Sequence, residues 1–346
     1  MTGSAVATKL VSGIAHAHES NLRRLGLMPL VRMVMGLKAD VDSLPRPASE
    51  GEAASMLASA CIVGATRLWG QTKVVYDIDP DLSASLMDMD MDAEFPGEVL
   101  RQLPHPNPMF VFREPIEVTN EQGEQAALRG FLVAARPSPN QVISSAAVSE
   151  HEGAPYLIVA VVDCYDEKGG VRPYPTHVEL FAPTAAGNTT VRKMIDGGAV
   201  VREAVVGSEA TPGDEALADY IRRLSTVVVA HLLYLCCDKP DIERTATVAP
   251  PRKRKGGGRP ERSAQVIKIG WRIGPAIRSF HEKVERLRQA SVRTGKSVIP
   301  HVRRGHPHTF LWGPGRAFKK TKWIPPILVN AALFGEQAEG IVVPVD

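Results

Sequence analysis

Leu128-Arg129-Gly130-Phe131-Leu132-Val133-Ala134-Ala135 is the run on which the fold turns. It is short, rich in Leu, Val and Phe, and punctuated by one glycine. Met109 to Phe112, Tyr156 to Cys164 and His177 to Phe181 have the same character and are bounded by Pro, Gly or Asn, which is the signature of strands. Glu121-Gln122-Gly123-Glu124 and Asp166 to Gly170 supply turns between them. No helical pattern of about 10–15 residues separates these runs, so hairpins of an antiparallel sheet fit better than βαβ units.

On the N-terminal side, residues 1–40 read as helical, with Leu22, Leu25, Leu30, Val31 and Val34 apolar and Pro29 suited to a first turn. Ser43 to Gly51 is a Pro-rich break, and Glu52 to Trp69 is helical again, with Ala53, Ala54, Ala58 and Ala60 on a small face. Asp79-Pro80 and Asp88 to Asp92 read as an acidic loop, solvated in preference to cation-binding. On the C-terminal side, Thr211-Pro212-Gly213-Asp214-Glu215 opens a long helix with a capping residue and carboxylates at its positive end. Its apolar face runs Leu217, Tyr220, Ile221, Leu224, Val228, Leu232 and should close over the sheet.

Lys239 to Ser263 holds Pro240, Pro250, Pro251, Pro260 and three consecutive glycines, so it predicts a flexible boundary. Order resumes with a strand near Ile267 to Trp271 and a helix carrying Ile277, Phe280, Val284 and Leu287. Thr309 to Trp312 and Trp323 to Ile327 read as short strands joined by a basic Gly/Pro loop. The expected fold class is α+β: N-terminal helices, an antiparallel sheet covered by a long helix, a basic linker, and a small α+β C-terminal domain. The corresponding boundaries are 1–75, 76–238, 239–264 and 265–346.

Charge is divided unevenly. From residue 241 onward there are 21 Lys+Arg against 8 Asp+Glu, which leaves 20 and 30 for residues 1–240. Net charges of +13 and −10 point to a polyanion partner for the basic part, RNA first and duplex DNA second. An acidic protein, or the chain's own acidic part, could meet the same charge. The four cysteines, Cys61, Cys164, Cys236 and Cys237, show no CxxC spacing, so a reduced, cytoplasmic protein is expected. No signal peptide is read at the N-terminus, and the apolar run Val227 to Cys237 is shorter than the ~20 residues a membrane span needs.

Two basic stretches could carry chemistry. Arg252, Lys253, Arg254, Lys255 and Arg259 lie in the Gly/Pro-rich tether, where Gly258-Arg259-Pro260 loosely resembles the AT-hook core. Flexible cations there gain affinity through counterion release, or serve as a solvated tether. The denser constellation is His301, Arg303, Arg304, His306 and His308 within eight residues. Imidazole moves protons near neutral pH and guanidinium pairs with phosphate oxygens. The group could therefore bind phosphate, cleave RNA without metal through His306 and His308, hold a metal, or serve structure alone. No acidic residue occurs between Glu285 and Glu336, so no metal site and no cofactor is expected. Trp271, Trp312 and Trp323, with Arg316, Lys319, Lys320 and Lys322, interleave rings with cations, which suits the stacking of unpaired bases. Walker A, GxGxxG, GxSxG and HExxH motifs are absent. The common enzyme classes they mark receive no support.

His301-Val302-Arg303-Arg304-Gly305-His306-Pro307-His308-Thr309-Phe310, then Gly313, Arg316 and Lys322-Trp323-Ile324-Pro325-Pro326-Ile327, resembles the C-terminal signature of an anti-CRISPR family, the second type V-A group. Gly270-Trp271-Arg272-Ile273-Gly274 is similar to it as well. Members often carry Trp where this chain has Pro307. The resemblance implies a protein of a phage, plasmid or other mobile element that recognises a nascent effector polypeptide and causes decay of the mRNA being translated. A protein-reading acidic body and an RNA-facing basic part would divide that work.

Overall fold

The computed structural model describes residues 15–16, 18–35, 37–40, 43–47, 49–119, 123, 125–135, 155–165, 171–181, 187–196, 214–243, 264–294 and 301–329. The tether bearing Arg252, Lys253, Arg254, Lys255 and Arg259 lies outside them, as do the 166–170 turn and the expected cap at 211–213.

Helix α1 (Met28–Val34) packs against α2 (Glu50–Thr72). Ser49 caps α2 by accepting from the Glu52 N–H, and Lys73 ends it in the left-handed region at φ 50°. The chain then enters β1 (Val74–Ile78) directly, followed by α3 (Pro80–Met87). Asp79 joins the two: its carboxylate accepts from the Asp81 and Leu82 N–H groups, and Pro80 takes the first helical position.

Four long strands form the expected antiparallel meander: β3 (Met109–Thr119), β4 (Gln125–Ala135), β5 (Pro155–Tyr165) and β6 (Val171–Phe181). The short β2 (Phe95–Pro96) pairs separately with β7 (Asn188–Thr189). The main sheet has the order β6-β5-β4-β3-β1-β8, where β8 is Gln265–Ile269. Antiparallel hairpins do not account for the last two strands, because β1 runs parallel to both β3 and β8. Gln265–Ile269, expected to open the C-terminal domain, thus lies in the main sheet beside β1. Neighbours joined in parallel across so long a stretch of sequence leave no local pattern to read.

Both faces of the sheet are covered. Val75, Met109, Val111, Leu132 and Ala134 point to α1 and α2, with Leu27, Val31, Cys61 and Trp69 in the same cluster. Tyr76, Phe110, Phe112, Phe131 and Val133 point the other way, to α3 and α4 (Asp214–Cys236), with Leu82, Leu86, Leu224, Val228 and Leu232. The alternation between clusters follows the two-residue period of the strands. Phe110 stacks on its cross-strand partner Phe131 at 4.3 Å. β1 is buried on both sides, so it shows no polar–apolar alternation, and its only mark in the sequence is the short β-branched and aromatic run Val74-Val75-Tyr76-Asp77-Ile78. Gly130 lets β4 approach β3: a Cβ there would lie 2.1 Å from the Phe110 carbonyl oxygen.

Helix α5 (Ile273–Thr294) follows β8 and buries Ile273, Ile277, Phe280, Val284 and Leu287, the spacing expected from sequence. Asp241 caps it, accepting from the Arg272 and Ile273 N–H groups at 2.7 and 2.9 Å and from Arg272 Nε at 2.9 Å. Among the described residues no helix is long and apolar enough to cross a membrane.

Candidate nucleic-acid interface

The C-terminal signature folds into two small sheets. β9 (His301–Arg303) pairs with β12 (Ile327–Val329), and β10 (His306–Trp312) pairs with β11 (Phe318–Ile324) as an antiparallel ribbon. The first strand is longer than the expected Thr309 to Trp312, because cross-strand pairing runs from His306. The expected strand Trp323 to Ile327 is instead split: β11 starts earlier, at Phe318, and ends at Ile324, and Ile327 opens β12 beyond Pro325-Pro326. A turn built on Gly313, Pro314, Gly315 and Arg316 reverses the chain. Gly313 at φ 80° needs the left-handed freedom of glycine, and its bare Cα also leaves room for the Phe318 ring.

Residues opposite one another in an antiparallel pair share a face. The register therefore puts His306, His308, Phe310 and Trp312 on one face with Ile324, Lys322, Lys320 and Phe318. Ring contacts run along that face: His306 to His308 at 6.3 Å, His308 to Phe310 at 4.6 Å, Trp312 to Phe318 at 5.1 Å. The Lys322 ammonium lies 5.9 Å from the Phe310 ring centroid. Trp312 is 56% exposed and Phe318 52%, with Phe310 and Leu311 also exposed.

The opposite face is the docking side. Pro307 and Thr321 are buried there, and Trp323 meets the Tyr234 ring edge to face at 6.2 Å, packing on the main core. Gly305 makes room for Trp323, since a Cβ would come within 2.6 Å of the indole. The Gly305 carbonyl accepts from the Asp90 N–H at 3.2 Å, and the Thr321 carbonyl accepts from the Asp238 N–H at 2.8 Å. Two ion pairs also tie this segment to the body: Arg304 to Asp88 at 3.2 Å, and Lys320, whose register position is on the first face, to Asp238 at 2.9 Å. The acidic loop is solvent-exposed at Asp88, Asp90 and Asp92, as the sequence predicts, yet it is also bonded to the ribbon and, through Asp92, to Arg192.

The site residues named from sequence thus divide. His306, His308, Trp312 and Lys322 gather on the outward face, while Arg316 sits in the turn and Lys319 opposes Leu311 on the other face. Arg303 is exposed in β9, and His301 pairs in register with Val329. Trp323 belongs to the docking side. Phe310, Leu311 and Phe318 were outside the sequence-derived set, although the two-residue spacing of Phe310 from Trp312 was an available signal. No group of three or more His, Cys, Asp or Glu side chains among the described residues is placed to hold a metal.

Fold and signature together define an α+β body carrying a docked basic ribbon. The family model for the anti-CRISPR type V subtype A2 family matches residues 76–331, so the chain belongs to that family. A crystal structure of AcrVA2 is similar to it, with a TM-score of 0.50 and 16% identity over 95% of this chain and 100% of that one. That likeness concerns the fold. No curated protein matches the chain.

Proposed function

We propose that this anti-CRISPR family member is a regulatory binding protein of a mobile element: it recognises a nascent polypeptide and promotes loss of its mRNA, with the C-terminal basic part facing RNA. The outward face of the ribbon supports the reading most directly. It combines rings with Lys322, and residues 301–329 contain no carboxylate, which suits a polyanion bearing flat apolar groups. The acidic body lies against the back of the ribbon, so one protein can engage a polypeptide and a transcript at once.

Binding of the full chain to labelled RNA between about 50 and 200 mM salt tests the RNA half of this reading. Affinity should fall steeply as salt rises; salt-indifferent binding would sink it. Crosslinking in cells, followed by sequencing of bound RNA and identification of bound polypeptides, tests the other half. Recovery of a transcript together with its own product is the expected result.

A second reading is a metal-independent endoribonuclease, favoured by the placement of His306 and His308 on one face 6.3 Å apart. A base for the 2′-hydroxyl and an acid for the leaving oxygen would be the two imidazoles. His306 Nδ1 is engaged with the Arg304 carbonyl oxygen at 3.2 Å, which leaves Nε2 for that chemistry. RNA left intact with chelator present, or cleavage unchanged in His306→Ala and His308→Ala, excludes this mechanism.

A further inference from the structure

We infer that the tip of the β10–β11 ribbon is a stacking platform for unpaired nucleotide bases, formed by Trp312 and Phe318 with Phe310 and Lys322 behind them. The inference rests on the RNA-facing reading above and adds which form of nucleic acid is taken and by which side chains.

Four observations carry it. Trp312 and Phe318 are directly opposed across the ribbon, 5.1 Å apart and tilted by 37°, so their rings form one broad apolar surface. Each is more than half exposed, whereas Tyr76, Phe110 and Phe131 in the core are fully buried. The surface continues through Phe310 to His308, and Lys322 sits over Phe310. Finally, the turn is fixed by Gly313, whose missing side chain lets Phe318 lie against the backbone, so the platform is held in place before a ligand arrives.

Charge and shape select the occupant. Exposed rings alone could suit an apolar protein partner, but the ribbon between His306 and Ile324 carries Lys322 on the ring face, Arg316 in the turn and Lys319 on the other face, with Lys320 paired to Asp238, and no acid of its own. A ligand that is polyanionic and also presents flat apolar faces is a nucleic acid with its bases unstacked. A duplex hides those faces and offers the rings only a charged backbone. Trp323 and Trp271 are excluded from the platform: Trp323 packs on Tyr234, and Trp271 lies under the Arg272 guanidinium at 5.3 Å, beside the start of α5.

The test compares the full chain with Trp312→Ala and Phe318→Ala, both at exposed sites where folding is insensitive to truncation. Three probes are used: a single-stranded RNA 12-mer, a duplex RNA of the same length, and inorganic polyphosphate. The expected result is preference for the single strand and a loss of roughly 5- to 100-fold in its affinity for each variant, the effect of one lost base–aromatic stack. Polyphosphate binding should be unchanged. Salt-dependent RNA binding that is equal for strand and duplex, or unaffected by either substitution, overturns the platform and leaves the RNA-facing reading intact. RNA binding that is absent or indifferent to salt overturns both. Anionic phospholipid vesicles provide a fourth arm: if the variants lose vesicle binding but keep RNA binding, the rings serve a membrane surface and the inference fails.

Discussion

Gly305 and Trp323 pack together at the foot of the ribbon, where it meets the body: a Cβ on Gly305 would lie 2.6 Å from Cζ2 of the indole and 3.2 Å from the Ile324 carbonyl oxygen. Only a residue without a side chain lets Trp323 reach Tyr234. Gly305→Ala should therefore displace the indole and cost about 1–3 kcal/mol, the usual range for overpacking. Denaturant unfolding together with tryptophan emission checks this; an unchanged midpoint with unchanged emission would show that the seam tolerates a methyl group.

Gly130→Ala should be far more damaging. Its Cβ would meet a backbone oxygen, that of Phe110, at 2.1 Å, and a backbone atom in the middle of a sheet has nowhere to go. A loss of about 3 kcal/mol or more is expected, at the upper end of overpacking, read as insoluble expression or a thermal midpoint lowered by many degrees.

His231 makes stability depend on pH. It is fully buried on α4, with Nδ1 2.7 Å from the Val227 carbonyl oxygen, Nε2 3.0 Å from Ser83 Oγ, and its ring edge-on to Phe112. Burial pushes its pKa down to about 4 from 6.5. Because the folded value is the lower one, the unfolded chain takes up the proton first as pH falls. The stability present above about pH 6.5 is lost progressively down to about pH 4, by about 3 kcal/mol in all. Unfolding free energies at pH 7.5 and 4.5 should show a steeper drop for the parent chain than for His231→Gln.

Asp241→Ala removes the cap of α5 together with the ion pair to Arg272. The carboxylate is nearly inaccessible while Arg272 is partly exposed, so the expected loss is about 2–4 kcal/mol, between a lost cap and a broken buried pair. Loss of helical circular dichroism without a change in chain compactness would locate the effect in α5.

Asp88→Ala should do little to the fold. Both members of its pair with Arg304 are about two-thirds exposed, and such pairs are worth about 0–1 kcal/mol. It should instead release Arg304 and raise RNA affinity at low salt, while Arg304→Ala lowers the slope of log affinity against log salt by about one. Equal slopes for parent and Arg304→Ala would remove Arg304 from the phosphate-binding set.

How much was legible follows from the range of each signal. The meander from β3 to β6, the faces of α4 and α5, and the turn at Gly313 are encoded by neighbours a few residues apart, and all were visible as periodicity or turn chemistry. Trp323 was not separable from Trp312 by composition, since both are tryptophans in a basic segment. Their register on the ribbon sends one to the docking side and leaves the other in solvent.

The sequence by itself determined the α+β class, the family signature from His301 to Ile327, and the concentration of positive charge after residue 241. These depend on residue type and short spacing. Only the tertiary structure decided that Gln265–Ile269 completes the main sheet beside Val74–Ile78, and that Asp88, Asp90 and Asp238 hold the ribbon against the acidic body. Those pairings join residues 191 to 216 positions apart in every case but Asp238, and they arise from burial of shared surface and satisfaction of backbone groups. No local pattern records which distant partner will supply them.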